Sequence, residues 1–242
     1  MEYRNELKYV IKNSDLDILK CRMQSVMKLD KNVLNGNSYN IRSIYFDNYD
    51  NKYFYDNDAG INERLKIRIR IYNKSFSPIK LEIKYKNNGL TKKEACEIDK
   101  ELCEKLMRGE KLEIRDCKNN KVLNKLYIEE HTNLLVPKVI VEYERIAYID
   151  PIGNVRITFD KNIRGSKYIN RFFEDNIYAV PILDIGEHVL EVKYDELLPD
   201  YISSSIELNT LEQTAFSKYY LSRLRFKEEI LWVLQMSLKN QF

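Results

Sequence analysis

Arg64-Leu65-Lys66-Ile67-Arg68-Ile69-Arg70-Ile71 alternates four cations with four aliphatic side chains without a break. Side chains of a β-strand point alternately to its two faces, so this spacing gathers every cation on one face and every aliphatic group on the other. A helix of the same sequence would scatter the cations around its circumference and leave no continuous apolar stripe. The stretch therefore reads as a strand with one face on a core and the other on water or negative charge. By itself it does not choose between those two, because exposed Lys and Arg are ordinary on a half-buried strand.

The segments around it repeat the pattern. Residues 80–86 put Lys80, Glu82, Lys84 and Lys86 on one face; Asn87-Asn88-Gly89 is a hairpin turn, and Thr91 to Ile98 returns antiparallel with Lys93 and Glu94. Upstream, residues 3–11 form a strand with Arg4, Glu6 and Lys8 together, and residues 39–47 form another. Downstream, residues 137–150 set Tyr143 and Arg145 opposite Glu142 and Glu144. After a turn at Ile152-Gly153-Asn154, the strand that begins at Val155 groups Arg156, Thr158 and Asp160, and residues 189–194 group Glu191 with Lys193. A helix is expected from an N-cap at Ser14, with Asp17 as its capping partner, to about residue 28. Residues 48–63 read as a loop or short helix, and further helices are expected from Asp99 to near Gly109, around 121–133, from Pro199, and from about Thr210 to Leu238. Ile230-Leu231-Trp232-Val233-Leu234 in the last of these reads by default as a packing segment, with a membrane-surface or partner contact as the alternative, and is far shorter than the ~20 residues that cross a bilayer.

The chain of 242 residues carries no Gly/Ser/Pro-rich linker, so one domain is expected over residues 1–242, with a C-terminal helical segment from about 210. A net charge of +3 with 32% charged residues argues against a general nucleic-acid coat and requires any basic site to be a local concentration. With no apolar signal region at Met1 and no membrane-length run, a cytoplasmic location without a transmembrane segment is expected. Cys21, Cys96, Cys103 and Cys117 are dispersed without CxxC spacing, and His131 and His188 are isolated. This argues against zinc and for reduced thiols acting as small buried apolar groups. Glu142, Glu144, His131 and His188 read as solvated or structural.

An open sheet with its charged face in water accounts for such strands. Two considerations favour an interior instead. Dense cations on neighbouring strands repel one another unless carboxylates or a polyanion offset them, and several helices need an apolar sheet face to cover. An α+β fold answers both: an antiparallel β-barrel tunnel, apolar outside under packed helices and charged inside around a water-filled lumen. Such a lumen suits a phosphate chain, held by Arg forks and Lys point charges, with Glu6 or Glu191 available to hold a bridging divalent metal.

The ordered motifs Glu6-Leu7-Lys8-Tyr9-Val10-Ile11, Arg42-Ser43-Ile44-Tyr45-Phe46-Asp47, Lys66-Ile67-Arg68-Ile69-Arg70, Leu81-Glu82-Ile83-Lys84, Val141-Glu142-Tyr143-Glu144-Arg145, Leu190-Glu191-Val192-Lys193 and Phe216-Ser217-Lys218-Tyr219 resemble the VTC domain. That is the catalytic domain of eukaryotic polyphosphate polymerases and their bacterial relatives, within the triphosphate tunnel metalloenzyme (CYTH-like) superfamily. The resemblance runs from about residue 3 to about 225. It implies a tunnel that binds triphosphate and moves the γ-phosphoryl group of ATP onto polyphosphate. Carried over motif by motif, Lys8, Arg68, Arg70, Lys84, Arg145 and Lys218 are the phosphate ligands at the reacting centre. Lys93 and Ser217 support them, Tyr143 lines the tunnel, and Glu191 holds Mn²⁺ or Mg²⁺. On their shared strand faces, Arg64 and Lys66 are expected at the mouth and Lys193 beside Glu191, with Glu6 as a second metal ligand. Where many members of the superfamily begin with ExExK, this chain has Arg4 at the first acidic position, which suits the polymerase branch. Lys52, the only Lys or Arg between Arg42 and Arg64, has no clear counterpart. A metal-dependent tripolyphosphatase or nucleoside triphosphatase, and a non-catalytic polyphosphate-binding module, remain the alternatives. Nucleic acid ranks lowest, and the oligomeric state is not determined by these motifs.

Overall fold

Among the described residues, alternation of aliphatic and charged side chains produces ten strands in one antiparallel sheet. The computed structural model describes residues 3–33, 38–117 and 119–227. The strands are β1 (Asn5–Lys12), β2 (Lys28–Leu29), β3 (Tyr39–Asp47), β4 (Arg64–Tyr72), β5 (Ile79–Asn87), β6 (Leu90–Ile98), β7 (Val136–Asp150), β8 (Val155–Ser166), β9 (Val180–Pro181) and β10 (Glu187–Tyr194). Their order is β1-β10-β8-β7-β3-β4-β5-β6, with β2 added to β7 and β9 to β8. The sheet curls until its two edges meet. Arg4, just before β1, and Thr91 of β6 exchange both backbone hydrogen bonds, at 2.9 and 3.0 Å. Beyond that point the free edge of β1 is covered by the C-terminal part of the chain, where Thr214 N–H donates to the Lys8 carbonyl at 2.9 Å.

Six helices pack outside among the described residues: α1 (Asn13–Val26), α2 (Lys52–Asp58), α3 (Lys100–Met107), α4 (Lys121–Asn133), α5 (Asp200–Ile206) and α6 (residues 218–227). The aliphatic face of β4, with Ile67, Ile69 and Ile71, joins Ile44, Leu81 and Ile83 under Phe54 of α2, Cys103 and Leu106 of α3, and Leu123 and Leu126 of α4. A second cluster sets Ile157, Phe159, Leu190 and Val192 under Leu16, Leu19 and Met23 of α1 and Ile202 of α5. Each of these side chains contributes about 1.5–3 kcal/mol by leaving water, so the outer face is where the fold is held. The fold is α+β, as expected, with the charged face left to the inside.

Three local expectations are corrected. Helix α1 starts at Asn13, and its capping carboxylate is Asp15, which accepts from Lys12 N–H at 3.1 Å, rather than Asp17. Residues 211–217 are non-helical, because pairing with β1 outweighs their helix propensity, and α6 begins only at 218. Cys21 is exposed, two positions beyond Leu19 on the solvent side of α1, whereas Cys103 and Cys117 are buried. The expected packing segment 230–234 lies outside the described residues. Glu142 and His188 are structural: Glu142 is buried on the outer face between Arg42 and Arg164, and His188 Nε2 is 2.7 Å from Asn13 Oδ1. No described helix is long and apolar enough to cross a membrane.

Candidate anion-binding lumen

Inside the curled sheet is a cavity of about 950 Å³ lined by fifteen Lys and Arg side chains and two Glu side chains. Against a chain charge of only +3, this is the local concentration that the composition demanded, and its sign selects an anion.

On one wall, β4 and β5 present Arg68, Arg70 and Lys84. Glu82, only 1% exposed, accepts from Arg68 Nε at 2.7 Å and from Lys93 at 2.9 Å, and its Oε2 lies 3.8 Å from Arg70. Arg68 also donates to Tyr45 Oη at 3.1 Å, and Arg70 donates to Ser43 Oγ at 3.1 Å and Tyr143 Oη at 3.0 Å. Lys84 reaches across the lumen to Glu6 of β1 at 2.6 Å. Register explains the grouping, since Arg68 lies between Tyr45 and Glu82, and Arg70 between Ser43 and Lys80.

The facing wall is built from β7, β8, β10 and β1. Arg145 donates to both carboxylate oxygens of Asp160, at 2.6 and 2.7 Å. Lys218, the first residue of α6, is 2.6 Å from Asp160 and 3.1 Å from Glu191, with its ammonium 4.9 Å from the Tyr143 ring centroid. Lys193 bridges Glu191 at 2.9 Å and Glu6 at 3.3 Å. Lys8 donates to the Phe216 carbonyl at 2.9 Å, and Lys66 donates to Ser217 Oγ at 2.7 Å and Asn57 Oδ1 at 3.1 Å. The C-terminal segment thus floors the lumen.

Burial by itself would push every carboxyl here toward its neutral form, but the cations overcome it. Lys8, Lys84 and Lys193 hold Glu6 well below the usual carboxylate range, and Arg68, Arg70 and Lys93 do the same for Glu82. Lys193, Lys218, Lys8 and Arg145 hold down Glu191, and Arg145 with Lys218 lowers Asp160. Burial has the opposite sign for lysine. It pushes Lys84 down to about 7, with Glu6 opposing and Lys8 and Lys193 adding to the fall. Lys66, buried and beside Lys8, Lys84 and Arg64, is also shifted well below the ordinary lysine range. Lys218 moves up despite burial, because Asp160 and Glu191 flank it.

A VTC domain family model matches residues 3–226. The chain belongs to the VTC domain family. No curated protein matches it. Among solved structures, it is similar to the PH1819 protein from Pyrococcus horikoshii OT3, at 18% identity over 93% of this chain and 99% of that one, with a TM-score of 0.43. It is also similar to two proteins proposed to be adenylate cyclases. One is from Vibrio parahaemolyticus, at 11% identity over 91% of this chain and 97% of that one, TM-score 0.49. The other is from Bacillus halodurans, at 14% identity over 84% of this chain and 86% of that one, TM-score 0.47.

In this VTC domain the residues given a site role from the sequence line this cavity together: Lys8, Arg68, Arg70, Lys84, Arg145, Lys218, Lys93, Ser217, Tyr143, Arg64, Lys66, Lys193, Glu191 and Glu6. Lys52 does not line it and pairs with Asp56 along α2 at 2.7 Å. Sequence reasoning left out Glu82 and Asp160, two fully buried carboxylates that anchor the lumen cations, together with Ser43 and Tyr45. The alternation does place Glu82 beside Lys84 and Asp160 beside Arg156. What it lacked was a reason to treat a carboxylate in a basic lumen as a fixture for cations. Glu6 and Glu191 are the lumen-lining carboxylates of the VTC domain, and among the described residues no three His, Cys, Asp or Glu groups gather at metal-binding spacing.

Proposed function

We propose that this VTC domain binds ATP through its triphosphate and transfers the γ-phosphoryl group to a phosphate or polyphosphate acceptor in the lumen. The observation that carries this reading is preorganisation. Arg68, Arg70, Lys84, Arg145 and Lys218 are all held by buried carboxylates or hydroxyls before any ligand arrives. Donors fixed in advance need no reorganisation when charge moves, and that is the largest protein contribution available to phosphoryl transfer.

Within this reading Arg68, Arg70 and Lys84 grip the triphosphate from one wall, and Lys8, Arg145 and Lys218 complete the cationic ring from the other. Together they hold donor and acceptor in line and neutralise the equatorial oxygens. The acceptor is already an anion, so no general base is required. That point favours transfer over hydrolysis: each lumen carboxylate is held ionised and is paired with ammonium or guanidinium groups, which makes it a poor base for water.

A resident divalent ion fits as a partner of the substrate. Glu6 and Glu191 are ionised and lumen-facing, and Glu6 Oε1, 3.3 Å from the Lys193 ammonium, accepts no hydrogen bond and keeps an acceptor position open. Mg²⁺ is commonly held by one or two carboxylates with phosphate oxygens completing its shell. Bound at these two residues, Mn²⁺ or Mg²⁺ would supply further charge neutralisation at the phosphoryl oxygens.

The test is purified protein with ATP and Mn²⁺, products resolved by length. A ladder of polyphosphate supports transfer. Orthophosphate alone means a hydrolase, and tight binding without turnover means a binding module; either result overturns the polymerase reading.

A further inference from the structure

Along the lumen face of β4 the side chains run Arg64, Lys66, Arg68, Arg70 and then Tyr72, so the chemistry changes at one end of the cavity. Tyr72 is opposite Ile41 on β3, its ring lies 6.3 Å from that of Tyr39 at a 43° tilt, and Pro78 borders the same mouth. Tyr39 is a fixed backing: it is 5% exposed and its hydroxyl accepts from Arg156 at 3.1 Å. Tyr72 is the half-buried ring. Two side-chain amides also line this mouth. Asn32 donates through Nδ2 to Asp30 at 2.7 Å, and Asn73 accepts through Oδ1 from Asn40 N–H at 2.9 Å. These bonds leave an amide oxygen on Asn32 and an amide N–H on Asn73 for a ligand edge.

The other lumen aromatics are engaged more closely than Tyr72, over which the Lys80 ammonium lies 5.9 Å from the ring centroid. Tyr45 is stacked on Tyr219 and carries Arg68 over its ring, while Tyr143 carries Arg145 and Lys218. Apolar rings beside complementary amides suit a flat heterocycle and waste their contacts on a phosphate.

We propose that the mouth formed by Tyr39, Ile41, Tyr72 and Pro78 is a nucleobase subsite that fixes which way a nucleoside triphosphate lies in the lumen. This rests on the triphosphate reading of the lumen and deepens it, giving the base of the nucleotide donor a place and its phosphates a direction. A strand rises ~3.3 Å per residue, so Arg70 is ~7 Å and Arg68 ~13 Å from Tyr72 along β4. A base on Tyr72 puts its phosphates in sequence past Arg70 and Arg68. The terminal phosphate then faces the end of the lumen at Lys66 and Arg64, where the acceptor must wait. Lys80, whose ammonium is 5.9 Å from the Tyr72 ring centroid, adds a cation beside the stack.

Isothermal titration of ATP and of inorganic tripolyphosphate into the wild-type chain, Tyr72→Ala and Tyr72→Phe tests this. Expected is a loss of ATP affinity of roughly 5- to 150-fold in Tyr72→Ala, the range of base–aromatic stacking, with tripolyphosphate affinity within about twofold of wild type. Tyr72→Phe should retain ATP binding. An unchanged ratio of ATP to tripolyphosphate affinity in Tyr72→Ala overturns the subsite, as does an equal loss of both ligands. Failure of the transfer reading looks different: ATP binds in this pattern and no phosphoryl group moves. A wild-type chain that binds neither ligand overturns both.

Discussion

Asp160→Asn is the sharpest probe of the lumen. The carboxylate is fully buried, accepts both Arg145 bonds at 2.6 and 2.7 Å, and lies 2.6 Å from Lys218. Asparagine keeps the shape and removes the charge, leaving two cations facing each other across a dry site. Removing one partner of a buried ion pair costs about 3–5 kcal/mol. Arg145 and Lys218 each keep Glu191, at 3.5 and 3.1 Å, so the lower end applies, about 3 kcal/mol. For a chain of this size each kcal/mol moves Tm by about 2–4 °C, so the ligand-free variant should melt about 6–12 °C lower. Tripolyphosphate supplies the missing negative charge and should raise the variant's Tm by more than it raises the wild type's. Differential scanning fluorimetry with and without tripolyphosphate measures both. The sign with pH is also fixed. The Asp160 carboxyl is depressed, so its stabilisation is present above the unfolded value of about 3.9 and is lost as pH falls through the folded one. The gap between variant and wild type should close in acid. A drop below about 3 °C, or equal ligand-induced shifts, would refute the view that lumen carboxylates hold the place of a polyanion.

Four further outcomes are expected. Lys84, pushed down to about 7, gains its charge as pH falls, so tripolyphosphate affinity should decline from pH 6 to 9, and Lys84→Met should flatten that profile in titration calorimetry. Between about 7 and about 10.4 the unfolded chain holds the Lys84 proton that the folded one has lost; this group therefore makes the ligand-free protein more stable as pH rises through that window, measurable by urea unfolding. Arg70→Lys keeps the charge but not the fork that spans Ser43 and Tyr143; kcat should fall by about 10- to 100-fold with KM little changed, in a transfer assay. Asp47→Ala removes the acceptor of Asn48, Tyr53 and Phe54 N–H and of the Tyr219 hydroxyl, and should cost about 2–4 kcal/mol in urea unfolding while tripolyphosphate affinity stays within a few-fold.

Strand faces were readable from the sequence because period two is a local property. Once Arg64 to Ile71 is a strand, the side of Arg68 and Arg70 follows, and the same holds for Lys84, Arg145 and Glu191. Which strands adjoin is a long-range property. Nothing near Glu6 in the chain says that it lies between Lys84 of β5 and Lys193 of β10. The residues from Thr210 to Ser217 misled for the same reason: their propensity allows a helix, yet the open edge of β1 recruits Gln213 and Thr214 as backbone partners. Tyr72 was hidden by its position at the end of the basic run, where it reads as an ordinary strand aromatic.

The closure of β1 also bears on how the chain is made. Strands β3 to β6 pair as successive hairpins and can form while synthesis continues. Strand β1 finds its first partner in β10, and the other side of Lys8 is sealed only by the segment around Phe216, 208 residues later. A nascent chain therefore carries its first strand unpaired through most of translation, and the charges on Glu6, Lys8 and Lys12 help to keep that edge from pairing wrongly. Folding dominated by such distant contacts is slow. Because Asp160 and Glu191 meet Lys218 only when α6 arrives, the anion site is assembled in the same event that completes the barrel wall, and a chain that stops short of Lys218 lacks it.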